Sequence, residues 1–160
     1  MNLNPFECIE NEYKLEDVLT KDEYNDYIVN REYRKILNSG TEYGFITYDS
    51  LVRCINLRID WHVLDIGSYQ GDYYYIANYN DKWYFLRIGY GSCSGCDDLL
   101  ACCTFEDYQN LQNKIKGNIR EFNTLEELID WLTSEDNDEH WYISSDAEEI
   151  KKYIHKEFNI

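Results

Sequence analysis

The chain has 160 residues, with 31 acids against 15 bases and a formal net charge of −16. Apolar residues make up 44% and include 16 Tyr, 6 Phe and 4 Trp, which is core-forming material and excludes a wholly disordered chain. No apolar run is long enough for a membrane span, and the charge argues against direct binding to nucleic-acid backbones or anionic membranes, because phosphate binding rests on Lys and Arg.

The length fits one domain, 1–160. The first residues, Met1 to Tyr13, lack a basic segment followed by an apolar one, so the expected location is the cytoplasm. The six cysteines, Cys8, Cys54, Cys93, Cys96, Cys102 and Cys103, are then expected as thiols. Charge is unevenly spread. Residues 124–160 carry eleven acids and three bases, half of the net charge in the last 37 positions. A chain of this kind is attracted to basic surfaces, including those of proteins that hold DNA or RNA.

Three regions follow one another. Residues 1–59 read as helical. Thr20 to Glu23 has capping-box spacing, and Tyr24, Tyr27, Ile28, Tyr33, Ile36 and Leu37 recur near helical period before Asn38-Ser39-Gly40 stops the pattern. A second short helix is expected from Tyr48 to about Leu57, burying Leu51, Val52, Cys54 and Ile55.

Residues 60–133 open with a β-meander. Trp61 to Gly67 alternates, with His62, Leu64 and Ile66 on one face, and Gly71-Asp72 is expected to turn the chain. Tyr73 to Asn78 and Trp83 to Ile88 form a hairpin joined by Tyr79-Asn80-Asp81-Lys82. A short helix is expected over Asp97 to Cys103. Another, capped from Thr104, ends near Gly117, and Ile119 to Phe122 reads as a short strand. Thr124 to Glu127 is a second capping box opening a helix through Leu132.

Residues 134–160 begin with an acidic loop, Ser134 to His140. Ser145 then caps a last helix with Ile150, Tyr153, Ile154 and Phe158 on one stripe. Helices, meander and helices in that order predict an α+β fold, an antiparallel β-meander of three to four strands packed with N- and C-terminal helices.

The segment Tyr90-Gly91-Ser92-Cys93-Ser94-Gly95-Cys96-Asp97-Asp98 is the most unusual stretch. Zinc is one reading, since Cys93, Cys96, Cys102 and Cys103 give C-x2-C-x5-C-C. Thiolates about 2.3 Å from one metal must crowd together. On a helix, Cys96 and Cys103 stand about 10 Å apart along the axis. Cys93 and Cys96 with His62 or His140 are the remaining ligand candidates. A thioredoxin-like redox corner is a second reading, because a helix N-terminus acidifies a thiol. Against it, the lone proline is Pro5, and Asp97 and Asp98 raise a nearby thiol's pKa. The favoured reading is structural: Gly91 and Gly95 permit a tight turn, Ser94 or Cys96 caps a helix, and the thiols pack as small apolar groups. No cofactor is expected from it.

Tyr90 to Asp97, followed downstream by Phe122-Asn123-Thr124-Leu125-Glu126-Glu127-Leu128-Ile129-Asp130-Trp131-Leu132, resembles a group of small uncharacterised phage and bacterial proteins. The resemblance covers roughly residues 60–133. It implies that Gly91 to Asp97 is a structural signature or a contact loop, and it implies a phage origin, hence the host cytoplasm. It brings no chemistry with it.

Other constellations fall short. His62, His140 and His155 lie in no hydrolase or metalloprotease motif. Asp136-Asn137-Asp138 begins like a calcium loop, then His140 and Trp141 interrupt it. Gly89-Tyr90-Gly91 lacks the rest of a phosphate-cradling pattern.

Tyr73, Tyr74, Tyr75, Tyr79, Tyr84 and Tyr90 cluster on the hairpin, where only Lys82 and Arg87 are basic, so protein binding is favoured over nucleic-acid stacking. The expected interface combines Tyr73, Tyr75, Tyr79 and Tyr84 with Glu135, Asp136, Asp138 and Glu139. The expected function is that of an acidic inhibitor, such as an anti-CRISPR, docking on a basic, nucleic-acid-handling host protein. The alternatives are a thiol- or metal-dependent enzyme centred on Cys93 and Cys96, and an immunity protein against a toxin.

Overall fold

The alternation of the meander becomes a four-stranded antiparallel sheet with strand order β1-β2-β3-β4: β1 is His62–Gly67, β2 Gly71–Tyr79, β3 Lys82–Tyr90 and β4 Arg120–Phe122. In this computed structural model the described residues are 47–160 apart from 54, 57, 93, 94, 96 and 104. The helix expected over 20–37 lies outside them. The chain forms two compact units, residues 1–58 with 93–117, and residues 59–92 with 118–160. The sheet belongs to the second, and the fold is α+β.

The hairpin closes where Tyr79 pairs with Lys82. Asn80 and Asp81 both have positive φ, 51° and 61°. That geometry is a tight primed turn whose twist matches the strands, and Asn and Asp tolerate it better than most residues. The preceding reversal falls before Gly71-Asp72, both of which are already paired in β2. Gly67 pairs with Gly71 and the chain turns through Ser68 to Gln70. Gly67 has φ +146°, and a Cβ there would stand 2.4 Å from the Gln70 carbonyl oxygen, so the turn requires glycine at that point.

Three helices cover one face of the sheet: α3 (Leu125–Thr133), α4 (His140–Ile143) and α5 (Ala147–Glu157). Tyr74, Ile76, Trp83 and Phe85 from the strands pack with Leu128, Leu132, Ile143, Ile150 and Ile154 from the helices. Each fully buried aliphatic side chain contributes about 1.5–3 kcal/mol relative to exposure. The Tyr153 hydroxyl donates to the Val63 carbonyl at 2.9 Å and ties α5 to β1.

The two helix starts differ from each other. At α3 the Thr124 hydroxyl accepts from the Glu127 amide at 3.1 Å, as the capping box predicts, while the Glu127 carboxylate reaches back to the Asn123 amide at 3.0 Å. At α5 the cap position is Asp146, not Ser145, and the Asp146 side chain makes no cap hydrogen bond.

On the opposite face of the same strands Tyr75, Ala77, Leu86 and Ile88 are also buried. Trp61 meets Tyr75 edge to face at 6.1 Å, and Tyr73 stacks on Tyr90 at 4.4 Å.

In the other unit, α1 (Tyr48–Arg53) is shorter than the expected 48–57 and buries Leu51 and Val52 completely. Its start is closed reciprocally: the Ser50 amide donates to Thr47 Oγ1 at 3.0 Å and the Thr47 amide to Ser50 Oγ at 2.9 Å. Helix α2 (Phe105–Asn118) buries Tyr108, Leu111, Gln112 and Ile115, a spacing that makes one apolar stripe. Gln112 Nε2 donates to the Leu51 carbonyl at 3.2 Å.

The expected helix over 97–103 is a turn instead, with Ala101 N donating to Asp97 O and Cys102 N to Leu99 O. The Asp97 carboxylate accepts from the Leu99 and Leu100 amides at 2.9 and 3.3 Å, a local side-chain bond that competes with helix formation. Among the described residues, no helix is long and apolar enough to cross a membrane.

Candidate interaction surface

Residues 134–149 contain seven acids and no Lys or Arg. Two arginines from the sheet hold this segment in place, both on the face that the helices cover. Arg87 on β3 pairs through Nη1 with Asp72 Oδ1 at 2.5 Å. Its Nε, withdrawn from solvent, has Glu139 Oε1 at 3.5 Å, an ion-pair distance too long for a good hydrogen bond. Its guanidinium lies 4.1 Å from the centre of the Tyr142 ring. Arg120 on β4 pairs with Asp138 and, at 3.3 Å, with Glu139 Oε2, and lies 4.9 Å from the Trp131 ring centre. Each arginine is therefore held by carboxylates and an aromatic face together, geometry that suits a planar guanidinium.

The loop also stitches itself. Asn137, buried at 7% exposure, donates from Nδ2 to the Trp131 carbonyl at 2.8 Å and accepts from the Glu139 amide at 2.7 Å. Its side chain thus faces inward, and the neighbouring Asp138 is engaged by Arg120. A shallow depression of about 490 Å³ lies beside it, lined by Asp130, Trp131, Ser134, Asp136, Asn137 and Asp138. Directly after this anchored loop stands Trp141, 87% exposed, with Tyr142 at 54%. A tryptophan so open to water is unusual, because its ring is normally drawn into a core.

Behind the loop, the Tyr74 hydroxyl donates to Asp146 Oδ2 at 2.7 Å. Burial foremost, and then this hydrogen bond, push the Tyr74 phenol well above the ordinary tyrosine range.

The residues expected to form the interface are not all brought together. Glu135, Asp136 and Asp138 are exposed and Glu139 is half-buried, all on the loop joining α3 to α4. Tyr73, Tyr75 and Tyr84 lie on the other face of the sheet, opposite the face that α3, α4 and α5 cover. Tyr75 is 1% exposed and offers no contact area as it stands, while Tyr73, Tyr79 and Tyr84 are half-buried. The hairpin's two cations are occupied, Lys82 by Glu121 at 2.5 Å and Arg87 as above.

Sequence reasoning passed over Trp141 as a binding residue. The signal was present: a tryptophan in a stretch whose charged residues are all acidic.

Cys93 and Cys96, the metal candidates in the sequence, lie outside the described residues, as do Cys8 and Cys54. Cys102 is buried and donates to the Asp98 carbonyl at 3.2 Å. Burial first, then the Asp107 and Asp98 carboxylates, push its thiol up to about 11. Cys103 is exposed. Among the described residues, no group of three or more His, Cys, Asp or Glu side chains is placed to hold a metal ion.

Next to this segment, Asp97 is buried and accepts from the Tyr48 hydroxyl at 2.6 Å, so the end of the unusual segment serves a structural contact with α1. Of the histidines, His62 Nδ1 faces Glu157 Oε2 at 3.2 Å with its ring 4.5 Å from Phe158. His155 Nδ1 lies 3.1 Å from the Ile160 carbonyl.

In comparisons with known proteins, no protein-family model matches the chain, and no curated protein and no solved structure matches it significantly.

Proposed function

We propose that this chain is a binding protein of the inhibitor type, which docks through an acidic surface on a basic protein that handles nucleic acid. One observation carries the reading: the 134–149 segment has seven acids and no Lys or Arg, and among the described residues the arginines that reach its acids pair with Asp138 and Glu139. Glu135, Asp136, Glu148 and Glu149 remain exposed. Carboxylates spaced along a surface offer a groove built for phosphates the charge it selects for, and such complementarity steers association.

Capture from a host lysate at low salt, followed by a salt gradient, tests the proposal. The expected result is one basic, nucleic-acid-handling protein that elutes as salt rises and is lost when Glu135, Asp136, Glu148 and Glu149 are changed to the amides. Retention indifferent both to salt and to those changes would remove the electrostatic basis. The captured protein's identity separates an inhibitor of host defence, anti-CRISPR-like, from an immunity protein whose partner is a nuclease toxin.

A further inference from the structure

Twice within this unit an arginine is gripped in the same way. Arg87 lies against the Tyr142 ring with Asp72 and Glu139 at its edge, and Arg120 lies against the Trp131 ring with Asp138 and Glu139. Trp141 repeats the ingredients without the arginine. Its ring is 87% exposed, and it follows directly on a loop in which Glu135 and Asp136 are exposed carboxylates.

We propose that Trp141 is the anchor of the docking surface and receives an arginine side chain of the partner. The occupant is an arginine-rich segment of a basic protein, with one guanidinium stacked on the indole and the exposed carboxylates of the 134–149 segment supplying the countercharge. This rests on the acidic docking reading above and adds which residue confers selectivity.

Three physical arguments support it. A guanidinium stacks on an indole better than an ammonium does, because it is planar and weakly hydrated. The Trp141 backbone is fixed before binding: Tyr142 N and Ile143 N both donate to the Glu139 carbonyl, at 2.9 and 3.0 Å, and Glu139 is itself held by both arginines. A pre-ordered anchor loses little freedom on association. Finally, tryptophan is among the residue types that dominate interface energies.

The test uses the full chain with oligoarginine and oligolysine peptides of equal length at low salt. Affinity is measured by calorimetry, which serves the variants equally, and iodide quenching reads Trp141 as the exposed tryptophan, since Trp61 and Trp83 are buried and Trp131 is half-buried, with Trp141→Ala supplying the Trp131 background. The expected result is that oligoarginine binds roughly three- to tenfold more tightly than oligolysine and shields Trp141 from iodide. Trp141→Ala should erase that preference, lowering oligoarginine affinity more than oligolysine affinity, and Trp141→Phe should restore part of it. Equal affinity for both peptides, unaltered by Trp141→Ala, overturns the anchor and leaves acidic docking standing. Binding of neither peptide overturns both.

Discussion

The Tyr74 hydroxyl donates to Asp146 Oδ2 at 2.7 Å, from the middle of β2 to the residue that opens α5. Asp146 occupies the cap position without capping, because its carboxylate is turned toward the sheet. The bond therefore replaces a local helix contact with one linking residues 72 positions apart. Tyr74→Phe removes the donor and leaves a half-buried carboxylate without it. A loss of about 1–2 kcal/mol is expected, with a smaller loss for Asp146→Asn, whose amide oxygen still accepts. Urea denaturation of the three proteins measures this, and a Tyr74→Phe protein as stable as the parent would show that the bond contributes nothing net.

The same burial makes the fold sensitive to alkali. Tyr48, Tyr74 and Cys102 all have pKa values raised foremost by burial, with carboxylates adding to it: Asp97 for Tyr48, Asp146 for Tyr74 and Asp107 for Cys102. Below pH 9 these groups are protonated in both folded and unfolded chains, and their contribution is complete. Between the ordinary thiol value of 9.0 and about 11, the unfolded chain releases a Cys102 proton that the folded chain keeps, so stability falls as pH rises. The tyrosines add the same sign above their ordinary value of 10.0. Melting temperature is thus expected to decline progressively above pH 9, and the slope above pH 10 should be shallower in Tyr74→Phe.

The two arginine clamps should differ in strength. Arg87 is 17% exposed and faces Asp72 and Glu139, also largely covered, so Arg87→Ala takes the arginine from Asp72, leaves Glu139 with Arg120 alone and is expected to cost about 3 kcal/mol. Arg120 is 34% exposed and its partner Asp138 is mostly in water, so Arg120→Ala is expected to cost about 1 kcal/mol or less. Arg87→Lys should recover little, since an ammonium cannot reproduce the fork and the stacked plane against Tyr142. Limited proteolysis between residues 134 and 146 provides a second readout, with faster cleavage in the Arg87 variants.

Period and capping carried much of the fold. The hairpin is legible because Tyr73 to Ile88 alternates about an Asn-Asp pair, and α3 because Thr124 and Glu127 stand three apart before an apolar stripe. The failures share a cause. Asp97 and Asp146 carry short acidic side chains that propensity assigns to helix caps, whereas the folded chain spends one on an Asx turn with Tyr48 and the other on Tyr74. Those partners are distant in sequence, and no local rule names them. The sheet likewise separated Tyr73, Tyr75 and Tyr84 from the acidic loop by strand parity, which becomes decisive only once the covered face is known. The Arg87–Tyr142 and Arg120–Trp131 pairs depend on strand register and helix placement together.

Thiol reactivity should follow exposure and protonation. Cys102 is buried with its pKa pushed up to about 11, and Cys103 is exposed. The thiolate is the nucleophile. Iodoacetamide at pH 8 followed by mass mapping should therefore modify Cys103 well before Cys102, and mild urea should narrow the gap by opening the fold. Modification of Cys102 first in the native protein would contradict its placement.

The primed turn at Asn80-Asp81 gives the last expectation. Both residues hold positive φ, at 51° and 61°, where a Cβ is disfavoured. Glycine at the second position relieves that strain while keeping the two-residue connection, although it loosens the unfolded chain. The strain term is the larger of the two at a left-handed position, so Asp81→Gly is expected to stabilise by about 0.5–1 kcal/mol. Asn80→Val should destabilise by about 1–2 kcal/mol, because a β-branched residue tolerates this region worst. The pair reports on register as well as on strain. Tyr79 and Lys82 face each other only if the turn contains two residues, and a slip of one would carry Tyr74, Ile76 and Phe85 out of the core. Thermal melts of the two variants measure the strain. Amide exchange along β2 and β3 shows whether register is kept, with protection of Tyr74 to Ala77 expected to persist in Asp81→Gly and to weaken in Asn80→Val.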